Sequence, residues 1–293
     1  GEAGVPRVVM SRNAHAAPDR PLARDSAIGY LRARYPRDLV DQPLFWSPAG
    51  ARAGECARRP GEWPRIRPFR IPARAAEAPQ SATRTVLFAD TYAAWWLPHS
   101  WIFLNGDEVL AAIRGLAAAI GTMTNTHLVV RAKNKPECDL DALLHHVRPP
   151  PNCEIKMRDV PFTQDLARAD LLVAFHSSTI EEAIAARRPV LIWGSTSRHA
   201  YMPAREIAPT RTDRGAIYRI NAGARLGPMI AAILESHAGL PLTDSEITPY
   251  IWPPATPMVD DLAVEIAMGP APRCGPTSAF MNRHMPESQG LPK

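Results

Sequence analysis

The chain has 293 residues, 46% of them hydrophobic, and a formal net charge of +5 at pH 7. No stretch of the sequence approaches the roughly 18 consecutive apolar residues that a membrane-spanning helix needs. The four cysteines (Cys56, Cys138, Cys153 and Cys274) are scattered and form no C-x-x-C pair, which is typical of a reducing compartment. We therefore expect a cytoplasmic protein, with association at a membrane surface left open. Because the first residue is Gly1 and not Met, we also expect a processed or truncated product.

Residues 1–84 are rich in arginine and proline. They contain fifteen arginines, no lysine and eight acidic residues. The pattern predicts a strand over Val5 to Met10 and a short helix over Ser26 to Tyr35, which is too little for a complete Rossmann-like domain. The arginines are scattered among prolines and do not line one helical face, so nucleic acid is not an expected partner. We interpret the segment as a partial N-terminal domain, or as an arm that contacts a protein partner.

Predicted strands and helices alternate from residue 85 to residue 236. Strands are predicted over residues 85–89, 127–131, 153–157, 171–175, 190–193 and 216–220, and helices over residues 107–120, 140–147, 161–168, 179–187 and 224–236. This alternation indicates an α/β, Rossmann-like parallel sheet with helices on both faces. Residues 237–293 are rich in proline, and we expect an irregular tail there with at most one short helix, over Asp260 to Met268.

The stretch from Asp170 to Gly194 is predicted to form a strand, a tight turn, a helix and a second strand. Leu171 to Phe175 is an apolar run, as expected for a strand buried on both faces. Ser178 with Glu181 three residues later is a capping-box pattern that predicts the start of the helix. The turn follows the carboxyl end of a parallel strand, where the unpaired N–H groups of a helix favour a phosphate.

The turns that follow the predicted strands are polar at nearly every position. Because the carboxyl ends of parallel strands meet at one edge of a sheet, these turns are expected to converge on one crevice. Basic groups in one turn and hydroxyl groups in others suit a nucleoside diphosphate or a sugar phosphate. The turns are Asp90-Thr91-Tyr92, Arg131 to Lys135, Arg158-Asp159, His176 to Thr179 and Gly194-Ser195-Thr196.

The basic side chains of this set have two interpretations each. Arg131, Lys133 and Lys135 would neutralise phosphate charge, or the two lysines would lie in a solvated turn. His176 would contact a phosphate or transfer a proton, or else fill the turn without a chemical role.

A metal site is not predicted. Cys138, His145, His146 and Cys153 follow a C-x6-H-H-x6-C pattern, which is not a usual zinc spacing. Consecutive histidines also point to different faces of a helix.

Three short motifs resemble the donor-binding half of GT-B-type glycosyltransferases. They are Ser177-Ser178-Thr179 in the turn, Glu182-Ala183 in the helix and Arg188-Pro189-Val190 before the next strand. The resemblance covers about residues 85–236, and the group includes transferases of surface and capsule polysaccharide biosynthesis. It implies a nucleotide-binding domain over residues 85–236 with a nucleotide sugar as substrate. The small hydroxyl residues would then contact the phosphates, and Glu182 would hold the ribose.

The resemblance implies transfer of a sugar or sugar-like group from a nucleotide-activated donor to a surface polysaccharide or related carbohydrate acceptor, without a metal or other cofactor. Lys133, Lys135 and the helix that begins at Ser178 would stabilise the phosphates of the leaving nucleotide. Enzymes of this type usually carry the catalytic base in the N-terminal domain, so no catalytic residue is assigned. Two alternatives stay open: a non-catalytic binding or assembly module on the same sheet, and a nucleotide-sugar 2-epimerase, which would need more acid/base carboxylates and a complete opposing domain.

Overall fold

The computed structural model describes residues 82–89, 106–132, 139–157, 159–175, 177–193, 202–221 and 223–252, together with Pro48 and the backbone of two short N-terminal strands. Those strands, β1 (Val8–Ser11) and β2 (Gln42–Phe45), pair in parallel. The predicted strand over residues 5–10 overlaps β1, whereas β2 was not predicted because Pro43 lies in it. Proline has no N–H to donate, but an edge strand tolerates it. The predicted helix over residues 26–35 lies outside the described residues.

Six parallel strands form the main sheet, which confirms the predicted α/β, Rossmann-like architecture. Their order across the sheet is β5-β4-β3-β6-β7-β8. The strands are β3 (Arg84–Ala89), β4 (Thr126–Ala132), β5 (Cys153–Met157), β6 (Leu171–Ala174), β7 (Val190–Trp193) and β8 (Ile217–Ile220). The helices are α1 (Gly106–Gly121), α2 (Leu140–Val147), α3 (Phe162–Arg168), α4 (Thr179–Ala185), α5 (Leu226–Ser236) and α6 (Asp244–Ile247), with a 3-10 turn over Gly223–Arg225 before α5.

Alternating side chains divide the core into two layers. Val86 and Phe88 of β3 belong to the core under α1, α2 and α5, while Leu87 and Ala89 belong to the core under α3 and α4. This follows from the two-residue period of a strand, since consecutive side chains point to opposite faces. Both faces are covered, and for this reason the central strands are apolar throughout.

Helix α1 shows why the apolar spacing predicts its position. Val109, Ile113, Leu116 and Ile120 recur at intervals of three and four and are all buried against the sheet. Full burial of each such side chain stabilises the fold by roughly 1.5–3 kcal/mol. The Asn152 side-chain amide, in the turn before β5, donates to the carbonyl oxygens of Ile120 and Thr126, at 2.8 and 2.9 Å. It thereby ties the end of α1 to the start of β4.

The β8 edge of the sheet is partly covered by the preceding segment. The Arg205 N–H donates to the Ile217 carbonyl at 2.9 Å, and the Arg219 N–H donates to the Arg205 carbonyl at 2.8 Å. Backbone groups that an outer strand would expose are thus paired at this point, which blunts the edge against pairing with another chain.

The packed core extends beyond residue 236, where the predicted domain ends. Leu242, Ile247, Tyr250 and Ile251 are buried in the layer under α3 and α4. Helix α6 begins with a capping box in which the Thr243 hydroxyl accepts from the Glu246 N–H and the Glu246 carboxylate accepts from the Thr243 N–H. The prolines around this segment predict an irregular chain, but the segment is ordered and its side chains complete the core. The helix predicted over residues 260–268 lies outside the described residues.

Candidate functional site

The strand order reverses between β3 and β6. From β3 the chain moves outward to β4 and β5, and it then returns to β6 on the other side of β3. Helix α1, which follows β3, packs on one face of the sheet, and α4, which follows β6, packs on the other. Connections that leave neighbouring strand ends toward opposite faces create a crevice between them, and open α/β sheets bind ligands at this point. The crevice outside Ala89 and Ala174 is therefore the candidate functional site.

A side-chain hydrogen bond ties the two sides of this crevice together. The Thr179 hydroxyl, in the first residue of α4, donates to the Ala89 carbonyl at the end of β3, at 3.1 Å. Thr179 is buried, so the bond is shielded from water. It fixes the start of α4 against β3, and it commits the hydroxyl proton to the protein.

The predicted capping box at Ser178 and Glu181 is wrong. Ser178 already has helical backbone angles, φ −59° and ψ −15°, and its side chain makes no capping hydrogen bond. The hydroxyl of the preceding Ser177 instead accepts from the Thr179 N–H at a long 3.4 Å. Glu181 is buried in the protein. The spacing was right for a capping box, but the helical conformation starts one residue earlier, which moves the cap to Ser177.

Ser178 and Glu182 are the predicted nucleotide contacts of α4 that keep part of their surface exposed. They are four residues apart and therefore neighbours on one stripe of the helix. Ser177 and Thr179, by contrast, are buried. The accessible part of the predicted contact set on α4 is thus a hydroxyl followed, one turn later, by a carboxylate.

Arg131 is held inside the protein. Its side chain is 4% exposed, and its Nη1 lies 2.9 Å from Oδ2 of Asp165 in α3. Its Nη2 donates to the Val160 carbonyl at 2.7 Å, and its guanidinium carbon lies 5.5 Å from the centre of the Phe162 ring. A direct phosphate contact by Arg131 would require the guanidinium to leave these partners. The contact stays a prediction.

The other predicted site groups lie outside the described residues. These are Lys133, Lys135 and His176, together with residues 90–92, 158 and 194–196. Asp159 is described and exposed. The roles predicted for all of them stay predictions.

Sequence reasoning missed three side chains near this edge of the sheet. Lys156 Nζ donates to Asp165 Oδ1 at 2.9 Å, so the two cations Arg131 and Lys156 share one carboxylate. The available signal was positional, since Arg131 and Lys156 each occupy the last position but one of adjacent strands. Trp193, at the end of β7, donates its indole N–H to the Ala112 carbonyl at 3.1 Å and so fastens α1 to β7. No local pattern signals that contact.

The ranges that the structure describes contain no metal-binding site. No three His, Cys, Asp or Glu side chains there come together in an arrangement that would hold an ion. His145 and His146 are exposed on α2. Cys153 is buried, and burial, followed by the charge of Glu154, raises the pKa of its thiol to about 11, so it stays protonated at neutral pH. The predicted absence of a metal stays a prediction.

None of the helices in the described ranges combines the length and the apolar character that crossing a membrane requires.

No protein-family model and no curated protein matches the chain. Among solved structures, it is similar to the glycotransferase of kitacinnamycin, with 13% identity and a TM-score of 0.44 over 84% of this chain and 64% of that one. It is also similar to HepE of Anabaena in complex with UDP-glucose (13% identity, TM-score 0.49, 83% and 65%) and to the spinosyn rhamnosyltransferase SpnG (16% identity, TM-score 0.45, 78% and 56%). The chain thus spans less than two thirds of the length of each. Likenesses at this level concern the fold and assign neither a family nor an activity.

Proposed function

We propose that the crevice between β3 and β6 binds a nucleotide-activated sugar donor, and that the protein takes part in transfer of the sugar to a carbohydrate acceptor such as a surface polysaccharide. The observation that carries the proposal is the reversal of strand order between β3 and β6. The Thr179 bond to Ala89 supports it, because this bond holds the start of α4 at the crevice. A preformed crevice lowers the cost of ordering a ligand site.

The described residues divide into ligand contacts and supports. Glu182 would accept hydrogen bonds from the ribose hydroxyls, and Ser178, one turn earlier on the same stripe, would face the phosphates. Thr179 would act as a support, since its proton is already donated to Ala89. Lys133, Lys135 and His176 complete the proposed phosphate contacts on sequence grounds.

The proposed reaction breaks the bond between the sugar carbon and the phosphate oxygen of the donor, and forms a bond from that carbon to an acceptor hydroxyl oxygen. The nucleoside diphosphate leaves with the electron pair, and the acceptor proton passes to a base that we do not assign. Positive groups at the crevice would stabilise the charge that develops on the leaving phosphate, which is commonly the largest electrostatic contribution to such catalysis. The donor is the only small molecule that the proposal requires.

A second candidate, a non-catalytic binding or assembly module, is favoured by one observation. Two polar groups of the predicted contact set are occupied by the protein itself: Arg131 pairs with Asp165, and the Thr179 hydroxyl donates to Ala89. A module of this kind would keep the sheet and its crevice while turning over no donor.

Thermal shift with CMP, CDP, UDP, GDP and their sugar conjugates, with and without magnesium, tests the proposal. A ligand that binds only the folded state stabilises it by mass action and so raises the melting temperature. At a ligand concentration of a hundred times Kd, the added stability is about 2.7 kcal/mol. We expect a selective shift that Glu182→Ala reduces and that Glu235→Ala, an exposed glutamate at the far end of α5, leaves unchanged. No shift at millimolar concentration with any nucleotide would rule out the donor site. A shift without sugar transfer to any carbohydrate acceptor would favour the binding module.

A further inference from the structure

Arg131, Lys156 and Asp165 form a compact charged group, here called the cation cluster. Both cations pair with the same carboxylate, each at 2.9 Å, one on each carboxylate oxygen. In the described ranges these are the ion pairs that Arg131 and Lys156 make, so the cluster holds two positive charges against one negative charge. Arg131 and Asp165 are 4% and 7% exposed, whereas Lys156 is 26% exposed. Arg131 and Asp165 are therefore shielded from water, and Lys156, which is partly exposed, carries the surplus positive charge toward solvent.

Strand register places this cluster beside the crevice. Ala89 of β3 is aligned with Arg131 of β4, and Arg131 is aligned with Lys156 of β5. Neighbouring strands are roughly 5 Å apart, so the Lys156 backbone lies only about 10 Å from that of Ala89. Ala89 is also the residue whose carbonyl accepts from Thr179. The cluster and the start of α4 thus lie along one row at the carboxyl edge and on one face of the sheet.

The Arg131–Asp165 contact is an ion pair and not a well-formed hydrogen bond. Nη1 and Oδ2 are close enough for an ion pair, yet among the described residues neither atom has a hydrogen-bond partner of acceptable geometry. Asp165 instead accepts a hydrogen bond from Lys156, through its other carboxylate oxygen. The Arg131 guanidinium is also held by the Val160 carbonyl and the Phe162 ring, so it fixes the turn between β5 and α3.

We infer that the cation cluster makes the crevice selective for an anionic ligand: its surplus positive charge favours a nucleoside diphosphate over the uncharged nucleoside, without contacting the base or the sugar. Arg131 is a positioning residue for the β5–α3 turn, and Lys156 supplies the charge that distinguishes the two ligands. This inference rests on the proposed function. Buried and half-buried charges act over such distances because they are less screened by salt than exposed ones.

Lys156→Gln is the variant that isolates the charge. Glutamine can still donate a hydrogen bond to Asp165, but it leaves Arg131 and Asp165 as a neutral pair. Lys156→Arg restores the charge. Arg148→Met is the matched control, since it also removes one positive charge, from an exposed position at the opposite end of the sheet where α2 ends.

The measurement is the Kd of UDP, CDP and GDP, each compared with its own nucleoside, by isothermal calorimetry on the full chain. If the phosphates bind at the end of β3, the Lys156 charge lies on the order of 10 Å from them, and Lys156→Gln should weaken diphosphate binding roughly three- to tenfold. The nucleoside should change by less than about twofold, and Lys156→Arg and Arg148→Met should match the wild type. The difference should shrink as salt is raised.

Equal weakening of diphosphate and nucleoside would show a merely structural role for Lys156 and overturn the inference, as would no weakening of either. In both cases the wild-type protein still binds the diphosphate, and the proposed function stands. If the wild-type protein binds none of the three diphosphates, the proposed function and this inference fail together.

Discussion

His237 and Tyr218 form a buried polar pair that couples the end of α5 to strand β8. The Tyr218 hydroxyl accepts from the Gly215 N–H at 2.8 Å and shares a hydrogen bond with His237 Nε2 at 2.9 Å. Burial, followed by the positive charge of Arg214, lowers the pKa of His237 to about 4, although Glu246 and two backbone hydrogen bonds act in the opposite direction. Burial likewise raises the pKa of Tyr218 to about 12. Both groups are therefore neutral in the folded protein at pH 7.

The pH dependence of stability follows from the sign of the His237 shift. Between pH 6.5 and 4 the unfolded chain binds a proton at His237 that the folded chain does not, so stability falls as pH falls through this window. The loss is on the order of 2–3 kcal/mol. Urea unfolding of wild type and His237→Gln should be measured between pH 4 and 8. The variant's free energy of unfolding should depend less on pH, because glutamine does not titrate, and the contributions of the other groups cancel in the difference. An unchanged pH dependence in His237→Gln, or an equal change in the exposed control His145→Gln, would contradict this assignment.

At the scale of elements, the junction between β3 and α4 decides the geometry of the crevice. Helix α4 has only seven residues, so its own hydrogen bonds hold it weakly in place, and packing of Ile180, Ala183 and Ile184 on the sheet supplies most of its stability. The Thr179 bond to Ala89 adds a directional restraint that apolar packing lacks. The proposed contacts by Ser178 and Glu182 depend on this restraint, because both residues lie at or near the start of α4.

Thr179→Val tests that restraint, because valine has nearly the same shape and no hydroxyl. Loss of this buried hydrogen bond should lower the free energy of unfolding by about 0.5–1.5 kcal/mol. Thr179→Ser keeps the hydroxyl and should lose less. Amide hydrogen exchange of residues 179–185 should accelerate in the valine variant relative to that of α1. Equal exchange rates in α4 of the valine and serine variants would show that the bond does not hold the helix.

At the scale of the whole molecule, the elements with a regular apolar spacing were predictable from the sequence. The contacts between elements were not. Strand β7, strand β5 and helix α2 have the predicted limits, because apolar runs and helical spacing act locally. The Ser178–Glu181 capping box failed because tertiary contacts, and not the local pattern, determine which serine caps α4. Arg131 was placed correctly at the carboxyl edge, but its pairing with Asp165 depends on how α3 crosses the sheet. Sequence spacing carries no information about that crossing.

The extent of the folded unit leads to a last prediction. The sequence predicts a proline-rich tail over residues 237–293, yet in its first part Arg187 donates to the Leu242 carbonyl at 2.7 Å and pairs with Asp244. Arg214 lies 3.2 Å from the Glu246 carboxylate. These contacts dock a segment whose Leu242 is 1% exposed and whose Leu240 is 37% exposed.

Two leucines that are two residues apart therefore allow a matched test. Leu242→Ala should lower the free energy of unfolding by roughly 2–5 kcal/mol, because it opens a cavity in the layer under α4, whereas Leu240→Ala should stay within about 0.5 kcal/mol of wild type. Urea denaturation of both variants measures the difference. If the unit ended at residue 236, both substitutions would be neutral, and such a result would remove residues 237–252 from the core. A large effect of Leu242→Ala alone would establish that the segment around Leu242 belongs to the core of the folded unit.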